Sequence, residues 1–275
     1  MITKNDLGIS TASLYPMHTE EALQTLLEMG FRVFEVFVNA QQEFSPDFMK
    51  ELKKRADHYG AIFTSVHPYT SPMETMLLFG NYDRRTEEGI EIYKSFMEAA
   101  AHLGAKYVVI HGVHGRHAGS HVPNKSGFNA IAADKGYWET FSRLYRAGRD
   151  IGAYPIQENV TAHKSESPDF IRSMKDYLQE DCAFVMDIKQ CRLSGVPIEE
   201  MVKAMGEKLC HVHISDSKGD FPCLVPGIGD YDFGKLFALL NDIGYTGKLV
   251  TEVYSNSYDD IQVLAESRQK MLQFV

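Results

Sequence analysis

The sequence predicts a (β/α)8 barrel built as one domain over residues 1–275, and three features of the chain predict it. Short apolar runs alternate strictly with amphipathic stretches, eight of each, an order that demands a parallel sheet. Six of the amphipathic stretches end in glycine, at Gly30, Gly60, Gly104, Gly152, Gly206 and Gly244, and an apolar run follows each within a few residues. Glycine just past a helix takes the left-handed C-cap conformation without a side-chain penalty, so these are six helix-to-strand junctions. Six consecutive runs also close on His, Asp or Glu, which separates a closed barrel from an open doubly wound sheet. In an open sheet only the strands at the switch point share a ligand site, whereas in a barrel every C-terminal strand end faces one mouth.

In chain order, the run at 7–10 opens the barrel and helix 19–29 follows it. Run 32–37 leads to helix 46–59, and run 62–66 to helix 84–103. In that third helix Ile90, Tyr93, Met97, Ala100 and Leu103 recur in three- and four-residue steps, which puts them on one face. Run 107–110 precedes the longest irregular stretch, 112–135, polar and glycine-rich, where a barrel places a lid or a binding loop. Helix 137–151, run 154–157, helix 167–178, run 183–186 and helix 197–205 continue the pattern. Run 209–214, helix 231–243, run 249–253 and helix 258–274 complete it. The runs are rich in Val, Ile, Phe and Tyr and barely alternate, as suits strands buried on both faces. No Pro/Gly/Ser-rich linker divides the chain.

Hydrophobic residues at 44% and charged residues at 24% are ordinary for a folded globular domain, and exclude a mainly disordered, collagenous or coiled-coil chain. With 28 basic against 37 acidic residues the formal charge is −9, the wrong sign for a protein whose main partner is a phosphate backbone. Cys182, Cys191, Cys210 and Cys223 form no Cys-x-x-Cys pair and no disulfide framework, which fits a reducing compartment. Lys4 and Asp6 precede any apolar run, and no later run approaches bilayer-spanning length. The expectation is a cytoplasmic protein with no membrane partner.

The residues that close the strands are His67, His111, Glu158, Asp187, His213 and Glu252. Any one of them has a plain alternative: a carboxylate after a strand caps a helix, and a strand-end histidine is commonly structural. Six in succession on one rim point to an active site. Glu158 and Asp187 follow runs apolar enough to lie near the barrel axis, where an unpaired carboxylate costs roughly several kcal/mol or takes up a proton. A bound cation resolves that conflict. Weaker signals are His114, His117 and His121, read as a solvated or lid loop; Glu35 inside the second strand, facing either the mouth or a partner within the barrel; Lys218, an ordinary loop lysine or a hydroxyl or phosphate ligand; and Trp138, packed against the barrel.

Asp187 after Phe184-Val185-Met186, Glu158 in Ile156-Gln157-Glu158-Asn159, His213 in His213-Ile214-Ser215-Asp216, the segment Pro226-Gly227-Ile228-Gly229-Asp230, and Glu252 after Leu249-Val250-Thr251 resemble the xylose isomerase-like TIM-barrel superfamily. That superfamily groups sugar isomerases and epimerases with endonuclease IV-type AP endonucleases, and the motifs fall in order over nearly the whole chain. The resemblance to its D-tagatose/D-allulose 3-epimerase branch implies one divalent ion held by Glu158, Asp187, His213 and Glu252. Three carboxylates and an imidazole favour Mn²⁺, Mg²⁺ or Co²⁺, with Zn²⁺ admissible. It also implies Glu158 and Glu252 as the catalytic pair, and His67, His111, Gln190 and Lys218 as substrate-binding groups. The activity expected is isomerisation or epimerisation of a small ketose or ketose phosphate through an enediolate, with a small carbohydrate as partner and homo-oligomerisation left open.

The departures are specific. Gln190 stands where the family usually has His, and Gly219 beside Lys218 where the epimerases carry Arg. Gln190 and Cys223 replace two of the nine ligands of a trinuclear zinc site, and Asp220 lies only near a third, which weakens the phosphodiesterase reading. Besides that reading there remain a dehydratase of the inosose or dehydroshikimate type and a non-catalytic sugar-binding barrel.

Overall fold

The computed structural model describes residues 1–114 and 134–275. Its centre is a closed parallel barrel of strands β1 (Leu7–Ser10), β2 (Val33–Val38), β3 (Ile62–Pro68), β4 (Tyr107–Ile110), β5 (Tyr154–Glu158), β6 (Phe184–Asp187), β7 (Leu209–Ile214) and β10 (Lys248–Thr251), with β10 paired to both β7 and β1. Strands β8 (Asp216–Lys218) and β9 (Phe221–Leu224) form a separate antiparallel hairpin. The helices are α1 (Thr19–Glu28), α2 (Pro46–His58), α3 (Glu74–Leu77), α4 (Asp83–Leu103), α5 (Asp134–Ile151), α6 (Pro168–Leu178), α7 (Ile188–Ser194), α8 (Ile198–Met205), α9 (Phe233–Asp242) and α10 (Gln262–Met271). The barrel is thus as the sequence predicts. The additions are the short α3 and α7 and the β8–β9 hairpin.

Local chemistry sets these boundaries. In α2 the Ser45 hydroxyl accepts the Phe48 N–H and Pro46 occupies the first turn, where its missing N–H costs nothing. Helix α4 ends on Gly104 at φ +77°, the left-handed C-cap. In α1 the buried Ala22, Leu23, Leu26 and Leu27 share the face turned to the barrel. Each fully buried leucine contributes about 1.5–3 kcal/mol relative to exposure. Trp138 packs beside Phe170 and Tyr177, with ring centroids 6.0 and 5.2 Å away, between α5 and α6.

The strand pleat positions the site. Side chains two residues apart share a face, so Ile156 and Glu158, Val185 and Asp187, and His211 and His213 form steps along three neighbouring strands. Val109, Ile156 and Val185 pack together as a small apolar plug, separate from the larger core under the helices. One step nearer the C-terminal end, the same inward positions become charged. Among the described residues no helix is long and apolar enough to cross a membrane.

Candidate active site

Glu158 and Asp187 are the last residues of β5 and β6, His213 precedes the last residue of β7, and Glu252 follows β10 directly. All four are buried, and one ligand atom from each lies within 4.8 Å of the others. His213 Nδ1 stands 3.3 Å from Glu252 Oε2 and 3.8 Å from Glu158 Oε1. Three atoms of the group, Glu158 Oε2, Asp187 Oδ2 and His213 Nδ1, are buried without a hydrogen-bond partner. Polar atoms left so are costly unless something else binds them. A donor set rich in carboxylate oxygen, with its unspent atoms converging, fits a hard divalent cation.

Behind His213 lies Glu35, on the inner face of β2. Its Oε2 accepts from His213 Nε2 at 3.0 Å and from Ser65 Oγ at 2.8 Å, with His211 Nε2 at 3.4 Å. Burial alone would raise the Glu35 carboxyl, but His213 and His211 beside it hold it well below the usual carboxylate range. An ionised Glu35 fixes the Nε2–H of His213 outward and leaves Nδ1 facing the carboxylates, the arrangement that orients a metal-ligating histidine. Glu35, open in the sequence to two readings, therefore pairs inside the barrel.

Asp187 serves two purposes. Its Oδ1 caps α7, accepting from Lys189 N at 2.6 Å and Gln190 N at 3.4 Å, while Oδ2 faces the cluster. Burial pushes its carboxyl up to about 6, Glu158 and Glu252 adding to the rise and Lys189 opposing it. Lys189 is the charged neighbour of the cluster that sequence reasoning missed. Its ammonium is buried, 3.3 Å from Asp187 Oδ2 and 3.5 Å from Glu252 Oε2, and sits over the Tyr254 ring at 5.2 Å. A divalent ion among the three carboxylates would leave one negative charge, which Lys189 would offset. The available signal was a lysine two residues beyond a strand-end carboxylate.

His67 and His111 extend the site toward β3 and β4. Their Nε2 atoms are 3.0 Å apart, and His111 Nε2 is 2.9 Å from Glu158 Oε2. Burial opposes a charge on His111, but the Glu158 carboxylate raises its pKa. His67 is lowered by burial and by His111 beside it. Both histidines line a cavity of about 480 Å³ that opens the mouth between β1 and β4. The residue after His111 is held by buried Glu74 of α3, which accepts from Gly112 N at 2.5 Å and from Tyr93 Oη at 2.7 Å. Gly112, at φ +84°, has Tyr137 and Gln157 where a Cβ would project.

The remaining candidates lie apart from the four. Gln190 Oε1 accepts from Thr161 N at 3.0 Å and ties the β5 exit loop. Lys218 is exposed on the β8–β9 hairpin, and no ion pair or hydrogen bond among the described residues joins it to the cluster. The Pro226–Asp230 motif (226–230) wraps Asp216, whose Oδ2 accepts from Gly227 N at 2.8 Å and Gly229 N at 3.0 Å. His114 pairs in an isolated bridge with His163. His117 and His121 lie outside the described residues.

A family model described as xylose isomerase-like TIM barrel matches residues 23–273. Fructoselysine 3-epimerase of Escherichia coli O157:H7 is 24% identical over 276 residues, spanning 97% of this chain and 96% of its own. Among solved structures, a D-tagatose 3-epimerase-like protein matches with a TM-score of 0.78 at 19% identity, over 98% of this chain and 96% of that one. A 3-keto-D-glucoside 4-epimerase from E. coli matches with a TM-score of 0.75 at 18% identity, over 98% and 99%. At these identities the structural likeness shows the fold, and the family model, matched over most of the chain, shows that this protein belongs to the xylose isomerase-like TIM-barrel family.

Proposed function

We propose that the protein is a divalent-metal-dependent sugar isomerase or epimerase that moves a proton beside the carbonyl of a ketose-type substrate. One observation carries this reading: ligand atoms of the buried Glu158, Asp187, His213 and Glu252 converge within 4.8 Å of one another, beside a cavity lined by His67 and His111. The names of the relatives, fructoselysine 3-epimerase and 3-keto-D-glucoside 4-epimerase, agree with it.

A divalent ion on the four residues would act as a Lewis acid toward the substrate carbonyl, with Mn²⁺, Mg²⁺ or Co²⁺ favoured by the oxygen-rich set. The proton chemistry belongs to the chain. Glu158 and Glu252 stand on strands separated by β6 and β7, so they reach a sugar lodged over His213 from different sides. One carboxylate takes the proton and the other returns it, inverting the carbon between them. His111, beside the Glu158 carboxylate, donates to a substrate oxygen, and His67 completes the hydroxyl contacts. Gln190 acts through the Thr161 loop, and Lys218 has no hydroxyl assigned to it.

A metal-supplemented screen of ketoses, ketose phosphates and inososes, read by product mass and chirality, tests the proposal. An isomer or epimer of unchanged mass is expected. A product lighter by one water would replace the reading with a dehydratase.

A further inference from the structure

The converging carboxylates already have a cation of the chain's own beside them. Asp187 Oδ1 is engaged in capping α7, where it accepts from Lys189 N at 2.6 Å, so Oδ2 is the oxygen left for a ligand. That oxygen is the one the Lys189 ammonium faces, at 3.3 Å. The same ammonium is 3.5 Å from Glu252 Oε2, which also stands 3.3 Å from His213 Nδ1. Lys189 is 8% exposed, a rare setting for lysine, and the Tyr254 ring covers its ammonium at 5.2 Å. Glu158 is treated differently: among the described residues its charged neighbours are the imidazoles of His67, His111 and His213. Two buried carboxylates repel each other, and an ammonium in contact with both removes that repulsion without any bound ion. The same ammonium repels a divalent ion that approaches the oxygens it touches, and burial strengthens the repulsion. It offsets the charge that remains once an ion is in place, yet it lowers the affinity with which the ion binds.

We propose that Lys189 is a tethered counter-ion that regulates the site through the free divalent-ion concentration: it holds Asp187 and Glu252 together when no ion is bound, and it opposes the ion's entry. The site then fills at higher ion concentrations than the same three carboxylates and imidazole would need without the lysine. This rests on the reading of Glu158, Asp187, His213 and Glu252 as a divalent-ion site. Its consequence is that ion supply, and not substrate alone, sets how much of the protein is loaded.

The test is calorimetric titration of the full-length protein and its Lys189 variants with Mn²⁺, without substrate. Lys189→Met keeps the stem and removes the charge, and should bind Mn²⁺ about tenfold or more tightly than wild type, because a like charge in contact with the ligand oxygens is gone. Lys189→Arg, which keeps the charge, should stay within about threefold of wild type. Should Lys189→Met fail to fold, Lys189→Gln, whose amide still donates to a carboxylate, supplies the neutral comparison. A second measurement separates charge from packing. Methylammonium added to Lys189→Ala should weaken Mn²⁺ binding by about threefold or more, by taking the vacated place of the ammonium, and should leave wild type unchanged. A lysine that only fills space would show no such competition. Unchanged or weaker Mn²⁺ binding in the neutral variants, or no effect of methylammonium on Lys189→Ala, overturns the inference, while Mn²⁺ binding by wild type leaves the divalent-ion site standing. Absence of Mn²⁺ binding in wild type and in every neutral variant removes that site and the inference with it.

Discussion

His213 Nε2 lies 3.0 Å from Glu35 Oε2, and this contact across the barrel interior decides which edge of the imidazole faces the carboxylates. With Glu35 ionised, the ring turns Nδ1 toward Glu158 and Glu252. Glu35→Gln keeps the shape but removes the charge that raises the basicity of the ring. Mn²⁺ affinity should fall about 10- to 100-fold, as is typical when the group behind a metal-ligating histidine is altered. Titration calorimetry measures it, and unchanged affinity would mean that His213 is oriented by packing alone.

Lys189 is expected to act as the buried counter-charge of Asp187 and Glu252. Removing one partner of a buried ion pair costs about 3–5 kcal/mol, and the cost is greatest when no other cation is near. Lys189→Met should therefore lower Tm strongly in chelator and much less in excess Mn²⁺. Equal losses in both conditions would place Lys189 outside the charge balance of the site.

Glu74 links stability to pH. Burial raises its carboxyl from 4.5 to about 7, against the lowering effects of His111 and of the donors Gly112 and Tyr93. In the unfolded chain the group ionises near its ordinary value, so between these pH values the fold holds a proton that the unfolded chain has released. The stabilising contribution is full below pH 4.5 and is lost as pH rises through 7, a change on the order of 3 kcal/mol. Glu74→Gln, which can accept from Gly112 and donate to Tyr93, should erase this dependence and gain relative to wild type between pH 5 and pH 8. A constant difference in urea midpoints across that range would show that Glu74 does not titrate there.

The barrel and the convergence of its rim were legible because both are written in repeated local chemistry. Gly104 and its counterparts mark helix ends, and the period of two puts Glu158 and Asp187 on the inner face above Ile156 and Val185. Glu35 was visible only as one acidic letter in Val33-Phe34-Glu35-Val36, and the register shift between Phe34 and Glu35 hides which way it faces. His211 carried a usable signal, since it lies two residues before His213 and shares its face. Lys189 carried almost none: lysines are rarely buried, and α7 starts immediately after Asp187 without an amphipathic pattern of its own. The β8–β9 hairpin escaped because Asp216-Ser217-Lys218 shows no apolar alternation, and the segment after it is held by Asp216 contacts that depend on the fold.

The central claim, that Glu158 and Glu252 pass a proton across the carbon beside a carbonyl, is tested most directly by deuterium incorporation from heavy water. Wild-type protein with Mn²⁺ should place one deuterium at that carbon of a turned-over sugar, and Glu158→Gln and Glu252→Gln should each lose turnover by about 10²-fold or more, in the range of general acid–base contributions, while ligand binding largely persists. Turnover without solvent deuterium would indicate a hydride shift instead, and full activity in both variants would remove these carboxylates from the mechanism.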